Sequence, residues 1–174
     1  IVLANDCMPP KTELWKMPYI GEQTYDWGYH GGKKHSQHGA HNCPAPHFYL
    51  DNEEDAQDYF KMVEEIVTLY KDDPRILMWD VFNEPGNSRR SGITLPILKK
   101  MFQVVRKINP SQPITAAAWC CNKNCEFDMP EDAYAIENSD IITYHNYGRY
   151  EEHVRVLKYL KKFDNVPESI KSGS

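Results

Sequence analysis

The chain has 174 residues and a mass of 20.3 kDa, enough for one domain with a real hydrophobic core. Its 41% apolar and 26% charged residues exclude a disordered chain, and no apolar run approaches the roughly 20 residues of a membrane span. A net charge of −5 and the absence of a basic stripe argue against a nucleic-acid partner.

Ile1–Ala4 reads as a buried strand, followed by Asn5-Asp6-Cys7, and a chain that opens inside a strand is expected to have lost what came before it. Residues 8–50 are polar and rich in Pro, Gly and His. A loop this long is expected to be functional, and Trp15, Tyr25, Trp27 and Tyr29 favour an ordered lid over a tail. Asp51 and Asn52 precede the acidic turn Glu53-Glu54-Asp55, a good helix start for capping and dipole. Ala56, Tyr59, Phe60, Val63, Ile66, Val67 and Tyr70 then recur at helical spacing, and the predicted helix stops at Lys71-Asp72-Asp73-Pro74.

The next run, Ile76 to Phe82, is apolar except for Asp80 and predicts a parallel strand buried on both faces. Pro85 has no N–H to donate, so the strand ends at Asn83-Glu84 and leaves Glu84 at its carboxyl end. Open α/β sheets and barrels place their ligands at that end. Strict alternation puts Asp80 on the face of Glu84, where a structural role inside the sheet is preferred to a catalytic one.

After a Gly/Ser/Arg loop, Thr94 is the expected N-cap of a helix carrying Leu95, Leu98, Met101, Phe102, Val105 and Ile108. Pro113–Trp119 is predicted as a third strand, 131–137 as a short helix and Asp140–His145 as a fourth strand. A last helix spans 150–163. Strand and helix alternate four times, which implies parallel strands joined by crossovers in one α/β domain.

Trp79-Asp80-Val81-Phe82-Asn83-Glu84-Pro85, followed by a strand ending in Tyr144-His145-Asn146-Tyr147, resembles the retaining β-glycoside hydrolases with (β/α)8 barrels, nearest to their cellulase- and mannanase-like families. In that clan Asn-Glu-Pro closes the fourth strand, with its Glu as general acid/base, and His-x-Tyr closes the sixth strand in the same pocket. The resemblance covers about residues 1–163 and implies a partial (β/α)8 (TIM-type) barrel of about four strand–helix units, because a complete barrel takes roughly 200–250 residues or more. It places the clan's first two strands before Ile1 and the strand ending in the nucleophilic Glu after Phe163. Glu168, in the non-matching tail 164–174, precedes any strand and is not assigned as nucleophile.

The resemblance implies that Glu84 protonates the leaving oxygen of a β-linked sugar, its pKa raised by partial burial under the lid. The structural alternative is a strand-end Glu that caps a helix or pairs with an Arg. Asn83 is expected at the sugar 2-hydroxyl, or else satisfies local turn amides. His145 and Tyr147 would hold a substrate hydroxyl or tune the nucleophile; the alternative is a structural His. Trp119 either stacks on a sugar ring or belongs to the core.

Neither a metal nor another cofactor is expected. His30, His35, His38, His41 and His47 with Cys43 match no tight ligand spacing, and Cys120, Cys121 and Cys125 read as reduced loop thiols. No Gly-rich phosphate loop or Gly-x-Ser-x-Gly elbow is present. The expected partner is therefore a carbohydrate substrate. The alternative is a non-catalytic truncated barrel that at most binds carbohydrate.

A partial barrel leaves sheet edges open, so the chain is expected to self-associate. Light scattering on the purified chain checks this, and a clean monomer counts against the partial-barrel picture.

Overall fold

A computed structural model describes residues 1–6, 53–87, 89 and 91–163. The loop 8–50 with its histidines and Cys43, the residues Cys7, Asp51 and Asn52, and the tail 164–174 with Glu168 lie outside the described residues. In chain order the elements are α1 (Glu53–Tyr70), β1 (Trp79–Asn83), α2 (Ser91–Ile108), β2 (Ile114–Ala117), α3 (Pro130–Asn138) and α4 (Tyr150–Leu160), with a 3-10 turn over Lys161–Phe163. The protein is mixed α/β, and the strands it describes are parallel.

β1 pairs with β2, Trp79 opposite Ile114 and Asp80 opposite Thr115. On the other side of β1 lies the first segment, bridged at Val2–Asp80 and Asn5–Asn83, with Leu3 N donating to Asp80 O and Asn83 N to Ala4 O, both at 2.8 Å. Beyond β2, Ala118 bridges Tyr144. Segment 1–6, β1, β2 and segment 143–145 thus lie side by side in chain order, and their carboxyl ends point the same way.

The periodicity of the helices explains the core. Val63 and Val67 of α1, and Leu98, Met101, Phe102 and Val105 of α2, pack against Trp79, Val81 and Ile114 of the sheet. Trp79 is fully buried, its indole Nε1–H donating to Gln112 Oε1 at 3.0 Å. Asp80 and Thr115 share a register position, and Thr115 Oγ1 lies 2.7 Å from Thr143 Oγ1. A smaller cluster of Ala118, Phe127, Ile136, Val156 and Leu160 continues the core under the last two helices.

Five sequence expectations shift: Ile1–Ala4, expected as a buried strand, forms isolated bridges at Val2 and Asn5 and leaves Ile1 and Val2 exposed, and four others shift as follows. β1 begins at Trp79 and not at Ile76, because Asp73 takes the backbone and guanidinium of Arg75 into a turn that leaves Leu77 79% exposed. Strict alternation fails within β1: the register slips by one residue between Asp80 and Asn83, so Asn83, not Phe82, sits opposite Ala117. Thr94 is not the N-cap of α2, which starts at Ser91; Thr94 is buried inside the helix and gives its hydroxyl to Asp6 Oδ2 at 3.1 Å. The expected strand 140–145 is reduced to the one bridge at Tyr144, because Asp140 Oδ2 accepts Ile114 N at 2.7 Å and Ser139 Oγ accepts Ala116 N at 3.1 Å. Side chains there do what a fourth ladder would have done.

Trp79→Ala removes the largest fully buried side chain and leaves Gln112 Oε1 without its donor. The expected loss is about 3–5 kcal/mol, read from the midpoint of urea unfolding.

Candidate functional site

Glu84 is the first residue after β1, and its backbone places it. Its N–H donates to Ala117 O at 3.1 Å, which extends the β1–β2 pairing by one bond. Its φ of 50° then turns the chain sharply, and Asn87 N donates back to Glu84 O at 3.1 Å. A non-glycine residue in the left-handed region costs free energy, so the turn needs outside support.

Asp6 and Gly86 supply that support. Asp6 is fully buried, and its Oδ2 accepts Gly86 N at 2.7 Å as well as the Thr94 hydroxyl. Gly86 has φ 90°, and a Cβ there would lie 2.7 Å from Met129 Cε and 3.3 Å from Glu131 Oε2. Only glycine fits between the two walls.

The Glu84 side chain is 8% exposed and collects three donors. Oε1 accepts His145 Nδ1 at 2.5 Å and the Tyr147 hydroxyl at 3.1 Å, and Oε2 accepts Asn87 Nδ2 at 2.6 Å. His145 N donates to Ala118 O at 2.8 Å, so the β2 border sets the position of the imidazole. The His145 and Tyr147 rings meet edge to face, with centroids 6.2 Å apart. Asn83 lies beside Glu84 in sequence and donates through Nδ2 to Asn5 Oδ1 at 3.2 Å.

The electrostatics reverse one expectation. Burial pushes the Glu84 carboxyl up, but the hydrogen bonds from His145 and Asn87, the His145 charge and the Tyr147 hydroxyl outweigh it and hold Glu84 below the ordinary glutamate value. The same hydrogen bond raises His145 against its own burial, with Glu84 and Asp80 adding charge attraction. Asp80 goes the other way: burial pushes it up to about 6 despite the Phe82 N–H it accepts.

Trp119 is one step from the site, two residues beyond the Ala117 carbonyl that receives Glu84 N. Asp132, fully buried near the start of α3, fixes it by accepting Trp119 N at 2.9 Å and Cys120 N at 3.3 Å. Burial pushes Asp132 up to about 6. The Arg89 guanidinium lies 5.3 Å from the centre of the Trp119 ring. Cys120, Cys121 and Cys125 are free thiols. Among the described residues no group of His, Cys, Asp or Glu could hold a metal ion. No helix of the described residues is long and apolar enough to cross a membrane.

The structure therefore brings Glu84, His145 and Tyr147 into direct contact, with Asn83 next to Glu84 in the chain; Trp119 is held instead by Asp132 and Arg89. Sequence reasoning missed Asn87, Asp6 and Asp132. Asn87 was discoverable as an amide three residues past the carboxylate, within reach of one turn. Asp6 and Asp132 gave no local signal, because their partners are distant in the chain.

Parallel strands with a carboxylate at the end of one of them, gripped by an imidazole and a phenol, define an α/β protein with a polar cluster at the carboxyl ends of its strands. Residues 35–171 match the cellulase family, glycosyl hydrolase family 5, and the chain belongs to that family, a glycoside hydrolase family of the TIM-barrel clan. The chain is 31% identical over 116 residues to a β-glucuronidase of Chlorocebus aethiops, covering 63% of this chain and 17% of that protein. It is 30% identical over 130 residues to a β-glucuronidase of Homo sapiens, covering 71% of this chain and 19% of that protein. The chain thus spans less than a fifth of the length of these relatives. No solved structure matches it significantly.

The Glu84–His145 pair has a signed pH dependence. The lowered Glu84 contributes stability above its ordinary value of 4.5, lost as pH falls through its folded value. The raised His145 contributes below its ordinary value of 6.5, lost as pH rises through its folded value. The melting-temperature deficit of His145→Ala against the unaltered protein is therefore expected to be largest between pH 4.5 and 6.5 and to shrink on both sides. A deficit flat across pH 3–9, measured by thermal melts, would remove the charged pair.

Proposed function

We propose that the protein is a retaining β-glycoside hydrolase, acting on O-glycosidic bonds of β-linked oligo- or polysaccharides with Glu84 as general acid/base. The observation that carries this reading is the three-donor grip on a nearly buried carboxylate at the end of a parallel strand. Retention takes two displacements, with a second carboxyl group about 5–5.5 Å away as nucleophile. Glu84 must give a proton to the leaving oxygen in the first and take one from water in the second. Its lowered pKa suits the second step. For the first, the proton has to reach Oε1, and the 2.5 Å contact with His145 Nδ1 is a direct route.

Asn83 and Tyr147 are then placed to meet sugar hydroxyls, and Trp119 to border the ring. None of the described residues is assigned as the nucleophile; Asp80, pushed up to about 6 on the strand itself, suits a structural place. The same reading takes 1–174 as one partial barrel of about four strand–helix units, with 8–50 as its active-site loop and 164–174 as a tail, self-associating through its open edges.

The second reading, sugar binding without turnover, is favoured by that unassigned nucleophile. Aryl β-glycosides separate the two. Under the first reading Glu84→Gln lowers turnover about 100- to 10,000-fold for poor leaving groups, and much less for dinitrophenyl glycosides, whose leaving group needs no proton. NMR of the first-formed product shows the retained anomer. Binding with no turnover supports the second reading, and turnover undiminished in Glu84→Gln overturns the assignment.

A further inference from the structure

The loop that follows Glu84 carries a second feature that acid/base chemistry does not use. Arg89 is exposed, and its backbone is fixed: φ is 60°, and its N–H donates to Gly86 O at 2.9 Å. Its guanidinium lies 5.3 Å from the Trp119 ring centre, with Nη1 3.6 Å from Met129 Sδ and Nη2 3.8 Å from Cys120 Sγ. Thioether and thiol sulfurs are weak acceptors, and among the described residues no carboxylate pairs with Arg89. Among the described residues the fork is thus held by a ring and two weakly accepting sulfurs.

Its position is as telling as its chemistry. Asn87, two residues earlier, touches the Glu84 carboxylate, and Trp119 follows the strand that receives the Glu84 amide. The guanidinium thus belongs to the loop that follows Glu84 and lies over the ring of Trp119, the residue that follows the neighbouring strand. A planar cation with parallel N–H donors matches a planar or tetrahedral oxyanion, and fixing it beforehand removes the ordering cost on binding.

We propose that Arg89 is a specificity-determining residue that selects a sugar bearing an anionic group, a carboxylate or a sulfate, for the Glu84 site. This rests on the glycoside reading of that site. The 174-residue chain is titrated with methyl β-glucuronide, methyl β-glucoside and the 6-sulfated glucoside, followed by calorimetry. The glucuronide or the sulfated sugar is expected to bind about tenfold more tightly than the glucoside, and whichever binds best identifies the anion.

Arg89→Gln should abolish that preference and leave glucoside binding unchanged. Arg89→Lys, which keeps the charge and loses the fork, should retain only part of it. Thermal melts of both variants show whether they fold, and Arg89→Lys carries the test if Arg89→Gln does not. Equal binding of charged and neutral sugars, or a preference that survives Arg89→Gln, overturns the role of Arg89 and leaves the sugar site intact. Failure of all three sugars to bind overturns the glycoside reading and this inference with it.

Discussion

One carboxylate oxygen, Asp6 Oδ2, ties together three parts of the chain far apart in sequence. It belongs to the first segment, whose backbone runs beside β1, and it receives both the Gly86 amide and the Thr94 hydroxyl. A carboxylate with no exposed surface survives burial only when donors replace the water it lost. Here the donors come from the turn after Glu84 and from the first turns of α2, so compensating the charge also fixes the turn. That turn holds Glu84 and Gly86 at positive φ, a conformation that local preference does not supply. The turn geometry at Glu84 is therefore imposed by a residue from the first segment of the chain.

The two carboxyl groups at the ends of β1 have their pKa values moved in opposite directions. Asp80 accepts the Phe82 amide at 3.2 Å, and desolvation wins, favouring the neutral acid. Glu84 collects an imidazole, an amide and a phenol, and the donors win, favouring the anion. Desolvation acts on both groups, and at Glu84 the converging side-chain donors outweigh it. Both carboxyl groups act on His145 in the same sense, pulling it toward the charged form.

Much of this arrangement was legible in the residues. The apolar run ending in Asn83-Glu84-Pro85 located the carboxylate, and the resemblance put His145 and Tyr147 in the same pocket, though for a substrate hydroxyl or the nucleophile and not as the donors to Glu84 that they are. Helix periodicity identified the buried faces of α1 and α2. What escaped was whatever depended on side chains standing in for backbone. Thr94 has the chemistry of a cap and is used instead as a donor within the helix, because Asp6 waits opposite it. The stretch 140–145 has the composition of a strand, yet Asp140 and Ser139 take the amides it would have paired with. Desolvation alone predicted a raised Glu84; the number of converging donors is a three-dimensional quantity, and it set the sign.

That substitution of side chains for backbone along β2 has mechanical consequences. The segment bearing His145 and Tyr147 is joined to the sheet by a bridge at Ala118 and by Asp140 N donating to Ile114 O at 2.8 Å, with side-chain bonds from Asp140 and Ser139 between them. Glu84, by contrast, continues the hydrogen bonding of the central strand pair. The anion is thus mounted on the central strand pair and its imidazole partner on a border with fewer ladder bonds. A displacement of the second by a fraction of an ångström would retune the acidity of the first while the sheet stayed still.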